Sequence, residues 1–134
     1  MDEVWEEAWL ALREALTRQS RCQEHPDHPC VRTLVQEVVN DIIRVGPDGI
    51  VVRSHRTSRE DPIEASRFRV WWEQLQREGF ASLIPGGDNN PHRWRSRVVG
   101  AIWARCLPRQ IEWDEARPNE IRLIGHAALA AGHW

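Results

Sequence analysis

Two groups of arginine residues, at positions 53–59 and 90–97, are the part of the sequence best suited to chemistry. They contain Arg53, Arg56, Arg59, Arg93, Arg95 and Arg97. A guanidinium group presents its N–H donors in one plane, so one arginine can hold a phosphate or grip two acceptors of a guanine base. The two groups therefore predict a surface that binds a polyanion.

The distribution of charge along the chain supports this prediction. The net charge is −2, yet residues 49–109 hold eleven arginines against six acids, while the segments on both sides are acidic. A basic middle between acidic flanks indicates one face that attracts polyanions. Within residues 90–97, Asn90, His92 and Ser96 add hydrogen-bonding groups beside the arginines. Trp94 is assigned to a core stripe with Val98, and stacking on a base is the alternative.

The composition argues against enzymatic activity. All 18 basic residues are arginine, so a phosphate-loop lysine and a Schiff-base lysine are both excluded. The sequence has no glycine-rich phosphate loop, nucleophile elbow or paired-carboxylate motif. We therefore expect a protein that is not an enzyme and needs no cofactor.

A metal site is left open in the loop of residues 20–29. Its candidate ligands are Cys22, His25, His28 and Cys30. Zinc sites usually join two short ligand pairs across a longer gap, whereas these ligands lie within nine residues. The alternative is a polar loop in which Cys30 packs at the start of the next helix. The odd total of three cysteines favours a reducing compartment over a disulfide framework.

Hydrophobic periodicity predicts the elements that position these residues. Residues 2–19 form an amphipathic leading helix, and residues 31–45 form a second helix that ends at the turn 46–49. A short strand covers residues 50–52, and Asp61-Pro62 begins a helix that Gly79 ends. Asn90 caps a further helix, with Pro91 in its first turn and Pro108 after its end. The alternation around Ile111 and Ile121 predicts a hairpin over residues 111–123.

The order helix, strand, helix, helix, hairpin resembles the winged helix-turn-helix. This resemblance implies that residues 90–97 form the reader helix, that residues 61–78 support it, and that residues 111–123 form the wing, with Arg117 as its basic residue. We therefore predict one domain over residues 1–134, mainly α with a small β-hairpin and winged-helix-like. The added N-terminal helix precedes a core at residues 31–124, and residues 125–134 form a tail.

These observations predict a protein that binds double-stranded DNA through an arginine-bearing reader helix, as a regulator or as the targeting module of a larger system. The predicted contacts are Arg53, Arg56, Arg59, Asn90, His92, Arg93, Arg95, Ser96, Arg97 and Arg117. The alternative is a module for protein–protein assembly, as a homo-oligomer or with a partner protein, through Trp5 and Trp9 of the leading helix.

The sequence also predicts a soluble, cytoplasmic protein without a membrane partner. No apolar run approaches the roughly 18 residues that a membrane span requires. The start of the chain, MDEVWEE, is acidic and lacks the basic region of a signal peptide.

Overall fold

A computed structural model of the protein describes residues 2–22 and 26–124. The predicted tail at 125–134 and the candidate ligand His25 lie outside the described residues. The described part contains helices α1 (Asp2–Thr17), α2 (Ala65–Glu78) and α3 (Ser96–Cys106). Its strands are β1 (Cys30–Arg32), β2 (Val39–Gly46), β3 (Gly49–Ser54), β4 (Glu60–Glu64), β5 (Phe80–Ser82), β6 (Ile111–Glu112) and β7 (Glu120–Leu123).

The strands form two antiparallel sheets. The first has the order β1-β2-β3-β4, and the second has the order β5-β7-β6. The predicted fold class, mainly α and winged-helix-like, is therefore wrong, because the protein is a mixed α/β fold. The element order that carried the winged-helix resemblance is also changed, since strands replace its first helix.

The helix predicted over residues 31–45 is the largest error. These residues form β1 and β2, which pair with each other across a tight turn. The Thr33 N–H donates to Val38 O at 2.9 Å, and Thr33 Oγ1 accepts from the Val38 N–H at 2.8 Å. The segment is rich in valine and isoleucine, which favour strands because of their branched Cβ. The apolar spacing fitted a helix, but the residue types fitted a sheet.

Other predicted elements are confirmed. The leading helix, the strand at 50–52, the helix ended by Gly79 and the pairing of β6 with β7 are all present. Asp61-Pro62 does not begin α2, however, because both residues lie in β4. This strand is at the edge of its sheet, where the missing N–H of a proline is tolerated. The helix begins only at Ala65.

A cluster of tryptophan rings joins the three helices in the core. Trp5 stacks on Trp9 of α1 with 5.7 Å between ring centroids, and Trp72 of α2 stacks on Trp103 of α3 at 5.5 Å. Trp5 also lies 6.4 Å from Trp103, which links the two pairs. Trp5 and Trp9 are only 6% and 3% exposed. The side chains that the assembly alternative assigned to a partner therefore pack inside the protein.

The turn between β2 and β3 leads to a first stability prediction. A Cβ added to Gly49 would lie 2.5 Å from the backbone oxygen of Ile63 in β4, so the strands would have to separate. We expect Gly49→Ala to lower the free energy of unfolding by about 1–3 kcal/mol, as overpacking commonly does. The measurement is urea denaturation. The matched control is Gly46→Ala in the same turn, where the new Cβ would lie 3.8 Å from the nearest atom. Equal losses in the two variants would contradict this account.

Candidate functional site

The segment that precedes α3 is a loop rather than the predicted start of a helix. The Asn90 amide donates to Ser82 O at 2.8 Å and to Ser96 Oγ at 3.0 Å, which ties the loop to β5. The Ser96 hydroxyl in turn contacts the carbonyl oxygens of His92 and Arg93 at 2.8 and 3.0 Å. Asn90 therefore anchors a loop instead of capping a helix, and α3 begins six residues later at Ser96.

The predicted reader helix is wrong for a second reason, which is burial. Most of α3 lies in the core, and its buried residues are Ser96, Val98, Val99, Gly100, Ala101, Ile102, Trp103, Ala104 and Cys106. Arg93 lies outside the helix, so it does not share a helical face with Arg97. A helix packed in this way cannot enter a DNA groove. The arginines of the loop remain at the surface as candidates.

One arginine of this loop and one of α2 lie against the indole ring of Trp94. The guanidinium carbon of Arg67, in the first turn of α2, lies 5.1 Å from a ring centroid of Trp94. The guanidinium carbon of Arg95 lies 5.5 Å from it. Both distances are within the range of a cation–π interaction. Trp94 is 38% exposed, so the predicted core position is wrong, and the ring holds two cations at the protein surface.

Arg95 connects the two arginine groups of the sequence. Its guanidinium forms an ion pair with Asp61 of β4. Partial burial lowers the pKa of Arg95, and the positive charge of Arg59 lowers this pKa further. Arg59 is therefore close enough to act on Arg95 electrostatically. We name Arg59, Arg67, Arg93, Trp94 and Arg95 the Trp94 cluster, in which Arg59 and Arg93 are exposed.

His92 holds part of this cluster in place. Arg67 Nη1 contacts both ring nitrogens of His92, with Nε2 the nearer, and the backbone N–H of Trp94 donates to Nδ1 at 3.1 Å. The imidazole therefore contacts both the arginine of α2 and the backbone of the tryptophan. His92 is a positioning residue in this arrangement, because it fixes the side chain of Arg67 relative to Trp94.

Arg53 does not belong to the cluster. Val52 and Ser54 of β3 are buried on the core side of the sheet, so the alternation of the strand places Arg53 on the opposite face. There its Nη2 donates to Asp41 Oδ2 at 3.1 Å, and His55 Nε2 lies 2.9 Å from Asp41 Oδ1. We therefore assign Arg53 to this network rather than to the predicted DNA contacts, because a buried carboxylate holds its guanidinium.

The remaining predicted contacts are dispersed. Arg56 is exposed in the loop between β3 and β4, and Arg97 is half-buried in the first turn of α3. Arg117 is exposed in the loop between β6 and β7, next to Asp114 and Glu115. Among the described residues, none of these three contacts Arg67, Trp94 or Arg95. From the predicted set, the structure thus brings Arg59 and Arg95 together and adds Arg67, whereas Arg93 belongs to the cluster as the sequence neighbour of Trp94.

Arg67 was absent from the predicted contacts, because no sequence pattern linked it to the two arginine groups. The signal that could have found the site is the run His92-Arg93-Trp94-Arg95, in which an aromatic residue lies between two cations. A tryptophan in such a run has charged neighbours on both sides, which is unfavourable for a core position.

The possible metal ligands are only partly described. Cys22 and Cys30 line the same cleft, and His28 is half-exposed. No group of three or more metal-binding side chains is present among the described residues. Since His25 lies outside them, the four-ligand zinc site stays a prediction.

The fold and site define a mixed α/β protein with an arginine-rich surface around an exposed tryptophan. No protein-family model matches the chain, and neither a curated protein nor a solved structure is significantly similar to it. None of the helices in the described ranges is long and apolar enough to cross a membrane.

Proposed function

We propose that the protein binds double-stranded DNA through the Trp94 cluster and that its arginines contact the phosphate backbone. The observation that carries this proposal is the packing of two guanidinium groups against one exposed indole ring. Arg59, whose charge acts on Arg95, and Arg93, which precedes Trp94 in the chain, are both exposed. The proposal keeps the polyanion ligand expected from the sequence, and it replaces the reader helix with a loop and the first turn of α2.

The arrangement favours phosphate over bases. A guanidinium group that lies on an aromatic ring keeps N–H donors at its edge, where they can point to phosphate oxygens. The indole ring is used to hold these groups, which leaves it a smaller surface for base stacking. Base readout in the major groove would need an inserted helix or strand, and α3 is buried. Binding is therefore expected to depend weakly on DNA sequence.

The local charge balance supports the same ligand. The cluster holds four arginines, and the carboxylate in contact with it is Asp61, whose side chain is 14% exposed. One of these positive charges is thus offset by a carboxylate of the chain, and the excess is available to an anion. Exposed cations that neutralise DNA phosphates release bound counterions, so their effect is visible in the salt dependence of binding.

The salt dependence gives a direct test. We expect the logarithm of the affinity for duplex DNA to fall linearly with the logarithm of salt concentration, with a slope of about −2 to −4, since each neutralised phosphate contributes about −0.9. Arg67→Ala should reduce the magnitude of the slope by about 0.9 for the same reason. The measurement is fluorescence anisotropy of a labelled duplex across a salt series.

The matched control is Arg77→Ala. Arg77 is exposed in the last turn of the same helix, outside the cluster, and its removal should leave the slope unchanged. A single strand of the same sequence tests the preference for duplex, and tighter binding of that strand would contradict it. Binding that is absent, or equally salt-dependent in the wild type and Arg67→Ala, would contradict the proposed role of the cluster.

A further inference from the structure

A second cationic site lies at the edge of the first sheet, apart from the Trp94 cluster. Residues 19–22 after α1, the strand β1 and the end of α3 enclose an open cleft with a volume of about 460 Å³. Its lining includes two cysteines, Cys22 and Cys30, and three arginines, Arg21, Arg32 and Arg105. No acidic residue lines it in the part of the chain that the structure describes.

Both cysteines line this cleft, and the proximity of Cys22 contributes to a raised pKa at Cys30. The Cys30 thiol also lies within hydrogen-bond distance of Ser20 O, at 3.4 Å. Backbone pairing supports this arrangement, because the Cys30 N–H donates to Ser20 O at 3.1 Å and Arg21 forms a bridge with Pro29. Both cysteines are half-exposed, so a reagent in the cleft can reach their sulfur atoms.

Two of the three arginines of the cleft, Arg21 and Arg105, are held by backbone oxygens rather than by carboxylates. Arg105 Nε donates to Arg32 O at 2.6 Å and its Nη2 to Thr33 O at 3.4 Å, while Arg21 Nη1 donates to Pro26 O at 2.8 Å. Carbonyl oxygens do not cancel the positive charge, so the cleft keeps an electrostatic preference for anions. The carboxylate nearest in the sheet, Asp41 opposite Cys30, is fully buried and paired with Arg53.

We propose that Cys22 and Cys30 form a thiol–disulfide exchange site that selects disulfides carrying carboxylate groups. The thiolate of Cys22 attacks one sulfur of the reagent, the reagent's S–S bond breaks, and one half leaves as a thiolate that takes up a proton. Cys30 then loses its proton to solvent and attacks the Cys22 sulfur, which releases the second half. The protein is oxidised to a Cys22–Cys30 disulfide by two electrons, and the reagent is reduced to two thiols.

The environment of Cys30 indicates that it reacts after Cys22. Burial is the largest cause of a raised pKa at Cys30, and Cys22 and Asp41 raise this pKa further. The Cys30 thiol also donates to Ser20 O at 3.4 Å, a bond that its thiolate would lose, so Cys30 is the second to react, since only the thiolate is a nucleophile. Cys106 offers an internal reference, because burial raises its pKa to about 12. We expect Cys106 to stay reduced under conditions that oxidise the pair.

The experiment uses the reduced full chain and three disulfides of different charge. These are glutathione disulfide, which is anionic, hydroxyethyl disulfide, which is neutral, and cystamine, which is cationic. Alkylation and mass spectrometry follow the loss of free thiols. We expect the anionic reagent to react fastest and to yield a Cys22–Cys30 disulfide. Cys30→Ser should stop at a mixed disulfide on Cys22, and Cys22→Ser should form neither product.

The role of the arginines is tested by Arg32→Gln, which removes an exposed charge from the cleft. This change should reduce the rate ratio of the anionic to the neutral reagent about two- to threefold, as expected for one exposed charge. Arg18→Gln, an exposed arginine of the sequence just after α1, is the control and should leave the ratio unchanged. Two thiols that stay free in folded protein would overturn the proposal. Equal rates with all three reagents would overturn it as well.

Discussion

Replacing Trp94 by alanine is expected to weaken duplex DNA binding about tenfold, while the free energy of unfolding falls by only about 1–2 kcal/mol, the sum of two exposed cation–π contacts. The ring is in cation–π contact with Arg67 and Arg95, and each such contact at an exposed site contributes about 0.5–1 kcal/mol. Without the ring both side chains gain rotamer freedom, which must then be lost on binding. A loss of about 1–2 kcal/mol corresponds to roughly a five- to thirtyfold weaker affinity. Because Trp94 is already 38% exposed, its removal leaves no core cavity.

The measurement pairs anisotropy titrations with urea denaturation of the same variants. Trp94→Phe should give an intermediate affinity, because phenylalanine keeps an aromatic face with a weaker attraction for cations. Trp113→Ala is the matched control, since the Trp113 indole instead donates to Pro118 O at 2.8 Å in the loop before β7. Wild-type affinity in Trp94→Ala would contradict the role of the ring in holding the arginines.

The sequence predicted an element correctly where the spacing of its apolar residues fits only a helix or only a strand. The apolar stripes of α1 and α2 lie on the buried faces predicted, and the β-branched run at 50–52 is the centre of β3. The helix predicted over residues 31–45 was wrong because the apolar positions fit a helix while the residue types fit strands. A bulge between Ile42 and Arg44 further disturbs the alternation of β2, so its strand pattern was concealed.

The two predicted helix N-termini were wrong for a different reason, because tertiary contacts engage the residues that were expected to cap them. Asp61-Pro62 and Asn90-Pro91 both have the composition of a helix N-terminus. Asp61 is instead paired with Arg95, and Asn90 is bonded to Ser82 O of β5. Arg95 lies 34 residues after Asp61, and Ser82 lies eight residues before Asn90, so neither partner is in the first turn of the predicted helix. Local signals cannot reveal which neighbour a capping residue meets, so the loop that carries Trp94 was taken for part of a helix.

The candidate site was predicted in part for a related reason. The density of arginine at 53–59 and 90–97 correctly indicated that the two segments come close together in the fold, because the charge of Arg59 acts on Arg95. Spacing alone could not show that the alternation of β3 turns Arg53 away from them. Arg67 was missed because its role depends on the position of Trp94, which only the folded loop determines.

Asp41 should be among the most costly residues to remove from this protein. Its carboxylate is fully buried, with His55 Nε2 at 2.9 Å and Arg53 Nη2 at 3.1 Å. Asp41→Ala would leave these polar groups facing a site that was built for a negative charge. We expect the free energy of unfolding to fall by about 3–5 kcal/mol, the usual effect of breaking a buried ion pair. Chemical denaturation measures this loss.

The matched control is Asp114→Ala in the loop between β6 and β7. Asp114 Oδ1 also accepts two hydrogen bonds, from the backbone N–H of Ala116 at 2.8 Å and of Arg117 at 3.2 Å, but the residue is exposed. Its loss should be about 1 kcal/mol or less, because water replaces the lost bonds. Similar losses in the two variants would contradict the role of burial.

The same network separates a structural arginine from a binding arginine. Arg53→Ala should lower stability, because it removes one partner of Asp41, yet it should leave the salt dependence of DNA binding unchanged. Arg67→Ala should have the opposite pattern, since its guanidinium lies on the exposed ring of Trp94. A change of slope in folded Arg53→Ala would mean that the DNA footprint extends to the opposite face of the sheet. The two variants therefore test whether binding is confined to the Trp94 cluster.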